Sequence, residues 1–449
     1  VDDTDPASLQ LAPDTLRLAI AGNTGNITAT VRNASGSTLS GVAVTFTTND
    51  PGVATVNASS GLVTAQGDGA TGIVALVAPG GPSLTKSIRV EVGGSLAPAY
   101  LVGGNVGVAY TDQLGPATGG GGAFTYAVTA GTLPNGLSLN AATAAITGVP
   151  TTSGAHFFEV SATNGVLTLS ERYAITISTK SASAFNLWIA YNGGALPATN
   201  ARNALNQALA RWEEIVTGDA GAAQTYPPTG LNPSGPNSCQ LVDASLLNGA
   251  FIEDVAILMA IGPIDGSGST LAKGGPCGYG RQQRPAVISG QMLLDEADLL
   301  ATTTYLRDVI WHEIAHALGV GTIWADSLRF SGTDSVRYYG VNGNDEWRDL
   351  GGAADGVPIE PNIEGHWHEA WFNAEIMTPS AESPLSAHPI SRMTIGALLD
   401  LGWSAVLGEA DAYSLPVCSP ACSVPARANG PETISDVVRD RLLPLPASR

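Results

Sequence analysis

Residues Trp311 to Val320 read Trp-His-Glu-Ile-Ala-His-Ala-Leu-Gly-Val, and no other run constrains the chain as strongly. His312 and His316 are four apart, a spacing that on an α-helix stacks two side chains on one face with Cβ atoms about 5–6 Å apart. Two imidazoles so placed can grip one zinc ion at about 2.0–2.1 Å. Glu313 leans toward the same face, where a carboxylate can take a proton from zinc-activated water and pass it to a leaving amine. Ile310, Ile314 and Ala317 recur at i, i+4, i+7 on another face and can anchor the helix in a core. Gly319 follows the second histidine by three residues; a glycine there can take φ > 0, end the helix and turn the chain back. The bland alternative is an amphipathic helix that carries two histidines by chance. The glycine stop, the apolar back face and a later His/Met stretch favour the zinc reading.

The His-Glu-x-x-His-x-x-Gly run resembles the metzincin clan of zinc endopeptidases. Most metzincins place a third histidine three residues after that glycine, a position held here by Thr322. The leishmanolysin-like family instead inserts a long segment, then continues with His-Trp and Glu-Leu-Met. This chain has His366-Trp367-His368-Glu369, then Glu375-Ile376-Met377-Thr378-Pro379, and the resemblance spans residues 185–403. It implies His366 as third metal ligand and Met377 as the methionine of a turn beneath the metal. His366 and His368 are two apart and would point the same way in an extended segment, so His368 stands as the alternative; His388 is an outside candidate. No tyrosine follows Met377, so the metal alone is left to stabilise an oxyanion. Metzincin substrates lie extended along a sheet edge above the zinc, and the resemblance puts that edge near Gly268–Gly274.

Ahead of this region the text changes character. Residues 8–94 alternate apolar and polar in short runs such as Val42-Ala43-Val44-Thr45-Phe46, with turns at Asn49-Asp50-Pro51-Gly52 and Ser59-Ser60-Gly61, the pattern of a β-sandwich. Val53-Ala54-Thr55-Val56 and Gly61-Leu62-Val63-Thr64-Ala65 resemble bacterial immunoglobulin-like domains. Residues 95–179 repeat the theme: Leu133-Pro134-Asn135-Gly136-Leu137-Ser138-Leu139 and Ile146-Thr147-Gly148-Val149-Pro150-Thr151 resemble the Ig-like, cadherin-like modules of bacterial surface and secreted proteins. Gly119–Gly122 reads as a hairpin tip, and His156 as a strand histidine. Lys180-Ser181-Ala182-Ser183 reads as a linker. Beyond it, residues 185–190, 255–261 and 287–292 are candidate strands. Helical periodicity marks 200–216, 305–318 and 391–403.

Residues 321–365 carry little regular signal. Asn342-Gly343-Asn344-Asp345-Glu346 resembles a calcium-type acidic loop without the full EF-hand pattern; a plain polar turn is the competing reading, and it extends to Asp334, Asp349 and Asp355. The tail beyond Gly408 is Pro-rich, with a short helical pattern near residues 434–442.

The formal charge of −19 comes without a basic cluster, which disfavours nucleic acid and anionic membranes as partners. No run of about 18 apolar residues appears, so no transmembrane segment is expected. No signal-peptide pattern opens the chain at Val1, which reads as a mature terminus. Four cysteines allow three pairings; locality favours Cys239–Cys277 with Cys418–Cys422. Disulfides imply an oxidising compartment.

The expected architecture is therefore two all-β immunoglobulin-like sandwiches, residues 1–94 and 95–179. An α+β metzincin-type zinc peptidase domain follows over 180–408, with 321–365 inserted between the second and third ligands, then a tail over 409–449. The expected function is a secreted or cell-surface bacterial zinc endopeptidase holding one Zn²⁺ and acting on protein or peptide substrates. Its Ig-like modules would bind substrate or a cell-surface or extracellular-matrix ligand, space the enzyme from a wall, or cover the cleft as a pro-region. Two other classes compete: an adhesin-type protein with an inactive metalloprotease-like domain, and another zinc hydrolase such as an amidase or esterase.

Overall fold

The computed structural model describes residues 5–18, 21–77, 84–118, 123–164, 168–181, 184–218, 224–225, 239, 241–247, 250–279, 287–299, 301–324, 327–331, 335–352, 356–361, 365–381 and 388–416. The chain is mostly β-sheet with a few helices. It divides into two compact units: Val1–Thr179 with Ile189–Leu196 and Thr225–Ala250, and Lys180–Trp188 with Pro197–Gln224 and Phe251–Arg449. Gly119–Gly122, Asp334, Asp355, Cys418, Cys422 and the helical pattern near 434–442 lie outside the described residues. Among the described residues no helix is long and apolar enough to cross a membrane.

The first unit holds two β-modules with separate cores. In the first module a four-stranded sheet runs in the order Thr15–Leu18, Leu84–Val92, Gly69–Val77, Val44–Thr48, opposite a three-stranded sheet of Thr24–Asn26, Leu62–Ala65 and Ala54–Val56. Strand Gly69–Val77 shows why: Thr71, Ile73, Ala75 and Val77 are buried in strict alternation, the period that puts every second side chain on one face. Ile27, Phe46, Ile73 and Val90 fill the core.

The second module pairs Thr125–Gly131, Gly154–Thr163 and Thr168–Ser178 antiparallel, with Gly104–Asn105 added in parallel. Leu137–Leu139, Ala145–Gly148 and Tyr110–Gln113 form its other sheet. Phe158, Val160, Tyr173, Ile175 and Ile177 make its core. His156 is a half-buried residue of strand Gly154–Thr163, as its sequence context suggests.

A short ionic chain ties the modules together. Glu91 accepts from Arg17 and Arg89, at 2.8 and 3.0 Å. Arg89 also reaches Glu171 and the Leu96 carbonyl of the second module. Glu91 and Glu171 are both buried, so each depends on its guanidinium partner for compensation.

The second unit is built on a sheet in which Val255–Gly262, Val287–Asp295 and Ala272–Tyr279 are neighbours in that order. Val255–Gly262 runs parallel to Val287–Asp295, as buried, near-continuous apolar strands do. Ala272–Tyr279 lies antiparallel at the edge. Its Gly-rich text carries no strand propensity, and only the family resemblance points to a sheet edge here, near Gly268–Gly274. Helix α1 (Thr199–Ile215) buries Ala204, Leu205, Ala208, Leu209 and Trp212 on one face. Helix α2 (Thr303–Ala317) starts at Thr302, whose hydroxyl accepts from the Tyr305 amide. The two helices meet where the Trp212 indole donates to the Trp311 carbonyl at 3.1 Å.

Residues 321–365 are more regular than their sequence suggests. Strands Leu328–Ser331, Ser335–Tyr338 and Val357–Pro358 form a sheet, and Val341–Asp349 is helix α3. The acidic run is therefore helical and not a calcium-type loop. Asp345 pairs with Arg348, Glu346 with Arg392, and Asn342 with Asp400. Asp400, at the end of helix α5 (Arg392–Asp400), also accepts from the Tyr338 hydroxyl and the Gly343 amide. That carboxylate supplies the tertiary order which local propensity lacks.

Replacing Arg89 with alanine leaves buried Glu171 without its guanidinium and Glu91 with Arg17 alone. We expect Arg89→Ala to cost about 3 kcal/mol in denaturant unfolding of the full chain. A change below about 0.5 kcal/mol would show that solvent already screens the pair.

Candidate metal centre

Helix α2 is buried along nearly its whole length, so its polar side chains need internal partners. His312, Glu313 and His316 are all fully buried. His312 Nδ1 lies 2.6 Å from the carbonyl of Ile376, and His316 Nδ1 lies 2.9 Å from that of Val320. A carbonyl oxygen can only accept, so both Nδ1 atoms carry the proton and both Nε2 atoms present lone pairs.

His366 completes the group. It sits in an extended segment whose backbone is held on both sides. The Glu360 amide donates to the His366 carbonyl and the His368 amide to the Pro358 carbonyl, at 3.0 and 3.1 Å, while the Trp367 amide donates to the Met377 carbonyl at 3.0 Å. The Nε2 atoms of His312, His316 and His366 stand 2.9, 3.1 and 3.2 Å from one another. Lone pairs that close repel unless a cation lies among them. A tetrahedral ion at about 2.0–2.1 Å would space its nitrogen ligands about 3.3–3.4 Å apart, close to the separations found. Burial and the two neighbouring imidazoles hold His312 well below the ordinary histidine range, so a proton is a poor substitute for the ion. Among the described residues these three form the group able to hold a metal, and the donor set fits one.

The competing histidines do other work. His368 caps helix α4 (Glu369–Phe372), its ring accepting from the Ala370 amide at 3.2 Å. His388 is buried against Asp308, with Nδ1 2.9 Å from the carboxylate. Thr322 donates its hydroxyl to the His316 carbonyl at 2.9 Å, closing the end of α2.

Two glycines set how closely the pieces approach. Gly319, at φ 108°, ends the helix as expected, and its amide donates to the His316 carbonyl. Gly321, at φ 77°, carries no local sequence signal of its own. A Cβ there would run into the Gly365 carbonyl and lie 3.0 Å from the His316 ring. This contact seats the segment carrying His366 beside helix α2. On the other side, a Cβ at Gly274 would lie 2.6 Å from Glu313 Oε2. The edge strand Ala272–Tyr279 therefore passes directly against the carboxylate, overlapping the stretch Gly268–Gly274 only at its end.

Met377 is fully buried, in the turn whose Ile376 carbonyl orients His312. Glu375 organises that turn. Its buried carboxylate accepts from the Met377 amide at 2.7 Å, the Ser391 amide and hydroxyl at 3.1 and 2.6 Å, and the Thr394 hydroxyl at 2.6 Å. Burial pushes its pKa up against the pull of these four donors. In the sequence it shows only as the acid of the Glu375-Ile376-Met377 text, with no sign of its four partners. Cys239 and Cys277 are both disulfide-bonded, and no described cysteine is free.

Residues 94–178 match the family described as "Putative Ig domain", which coincides with the second β-module. No curated relative matches the chain. Among solved structures, domains 5–6 of the S-layer protein SbsC are 14% identical, covering 39% of this chain and 99% of that one at a TM-score of 0.18. A protocadherin gamma B2 fragment with extracellular cadherin domains 3–6 is 15% identical, covering 39% of this chain and 52% of that one at 0.17. An endo-fucoidan hydrolase of glycoside hydrolase family 107 is 19% identical, covering 36% of this chain and 27% of that one at 0.16. The chain thus spans about a quarter to a half of the length of the latter two. Scores this low carry no functional argument.

We expect Gly321→Ala to cost about 1–3 kcal/mol from backbone strain and to weaken metal binding at least about tenfold through displacement of His366. Gly351→Ala is the control, because Gly351 has φ 91° but nothing within 4 Å of its Cβ position. Chelator-competition titration of the two variants distinguishes strain from displacement, and equal affinities would contradict the seating role. The pH dependence has a definite sign. The folded pKa of His312 is lowered, whereas the unfolded value is about 6.5. The unfolded chain then binds more protons, so stability is present above about pH 6.5 and is lost as pH falls below it. Metal-free wild type should therefore lose thermal stability more steeply than His312→Leu between about pH 7 and pH 5. A parallel pair of curves would contradict this.

Proposed function

We propose that the chain is a secreted zinc endopeptidase whose second unit is a metzincin-type domain of the leishmanolysin-like kind. One observation carries the proposal: three buried Nε2 atoms, on residues 54 apart at the extremes, converge beside a buried glutamate that follows the first of them. Three neutral imidazoles are a common protein donor set for catalytic zinc, which keeps one further position for water or substrate. When bound, zinc supplies Lewis acidity, polarising a carbonyl and making water nucleophilic near neutral pH.

The chain's own residues have separable tasks. His312, His316 and His366 hold the ion, and the Ile376 and Val320 carbonyls fix the first two rings in the ligating tautomer. Glu313 takes the proton of the attacking water and delivers it to the departing amine nitrogen. The edge strand Ala272–Tyr279, which has one neighbouring strand among the described residues, suits an extended peptide joining as a further strand. Gly274 keeps that strand close to Glu313, so a peptide on the edge lies within reach of the base.

The Ig-like modules suit a role in holding a protein or surface ligand, and the disulfide-bonded cysteines suit an oxidising, extracytoplasmic setting. Both belong to the proposal and follow from the same reading of the chain as an exported enzyme.

Casein cleavage by the full chain, with bound metal quantified, tests the proposal. We expect activity that a chelator removes and zinc restores. We expect Glu313→Ala to lower it about 10²–10⁴-fold with metal content unchanged at about one per chain. Zinc bound without cleavage would instead favour a binding protein carrying an inert metal site.

A further inference from the structure

Asp308 and His388 stand outside the three-histidine group, yet both are buried. Asp308 lies on helix α2 four residues before His312 and so shares its face. One carboxylate oxygen takes Arg307 Nε and Nη2 at 2.8 and 2.6 Å. The other lies 2.9 Å from His388 Nδ1. The next residue, Pro389, accepts the Ile376 amide on its carbonyl at 3.0 Å. The Ile376 carbonyl in turn accepts His312 Nδ1 at 2.6 Å. The contacts close a circuit that leaves α2 at Asp308 and returns to it at His312.

We propose that His388, braced by Asp308, is a positioning residue that fixes the Ile376 carbonyl and through it the orientation of His312. A buried polar contact that only held two segments together could be replaced by apolar packing at little cost. This one terminates on the hydrogen bond that sets the tautomer and ring direction of a ligand, and such outer partners typically govern metal affinity 10–100-fold. The Glu375 contacts hold the same turn from its other side, at Met377. Loss of His388 would therefore leave the turn folded while the Ile376 carbonyl loses its fixed height above α2.

The inference rests on the metal-centre reading, and zinc binding by wild type is the control that separates the two. Zinc and cobalt affinities of the full chain are measured by chelator competition, with thermal unfolding of the metal-free proteins alongside. His388→Phe keeps the ring but removes the donor; we expect affinity about 10–100-fold weaker and an altered cobalt spectrum. His388→Asn keeps an N–H donor near the Nδ1 position, and affinity within about threefold of wild type is expected. Asp308→Ala should weaken binding by the same factor, and the double variant no further than either alone. Wild-type affinity in a folded His388→Phe would overturn the inference, as would multiplying losses in the double variant. Should His388→Phe fail to fold, the His388→Asn variant decides: near-wild-type affinity supports the role and a 10-fold loss or more overturns it. Wild type that binds neither metal would remove the metal centre itself.

Discussion

Three imidazole nitrogens held 2.9–3.2 Å apart in full burial are the constraint on which the second unit depends. Their lone pairs repel, and burial denies them water. The fold tolerates the arrangement because each piece is held by backbone contacts independent of the rings. Helix α2 is capped at both ends, by Thr302 at its start and by Thr322 at its finish. The His366 segment is paired to residues 358–360 and to Met377. Such a site is costly without a cation and favourable with one. Ligand binding and local stability are therefore coupled.

Around that centre, glycines permit approach and carboxylates enforce it. Gly321 admits the backbone of Gly365 beside His316, and Gly274 admits the edge strand beside Glu313. Glu375 gathers four donors from the Met377 turn and helix α5, and Asp400 gathers four from the segment before and within α3. The inserted segment thus has an ordered purpose. The rings of Trp324, Tyr338 and Trp367 meet in tilted and edge-on contacts with centroids 4.7–5.4 Å apart, and Trp367 is the neighbour of His366.

Some of this is legible in the sequence and some is not, for physical reasons. Helix α2 is legible because histidine spacing, apolar periodicity and the Gly319 stop are all local. His366 emerges from the His-Trp and Glu-x-Met text, but choosing it over His368 needs backbone pairing that no local pattern encodes. Ala272–Tyr279 is a strand despite Gly274, Gly275, Pro276 and Gly278, because its partner strand and α2 impose what propensity does not. The stretch from Asn342 to Glu346 reads as an acidic loop but is helical, since Asp400 and Arg392 supply partners from far along the chain. The β character of both modules is legible because alternation along a strand is a local signal.

The most direct test is X-ray absorption spectroscopy at the zinc edge on the metal-loaded full chain. Three imidazole nitrogens at about 2.0–2.1 Å, lost in part on His366→Ala but unchanged in His368→Ala, is the expected result. Sulfur scatterers at about 2.3 Å, or a first shell indifferent to His366, would contradict the centre described.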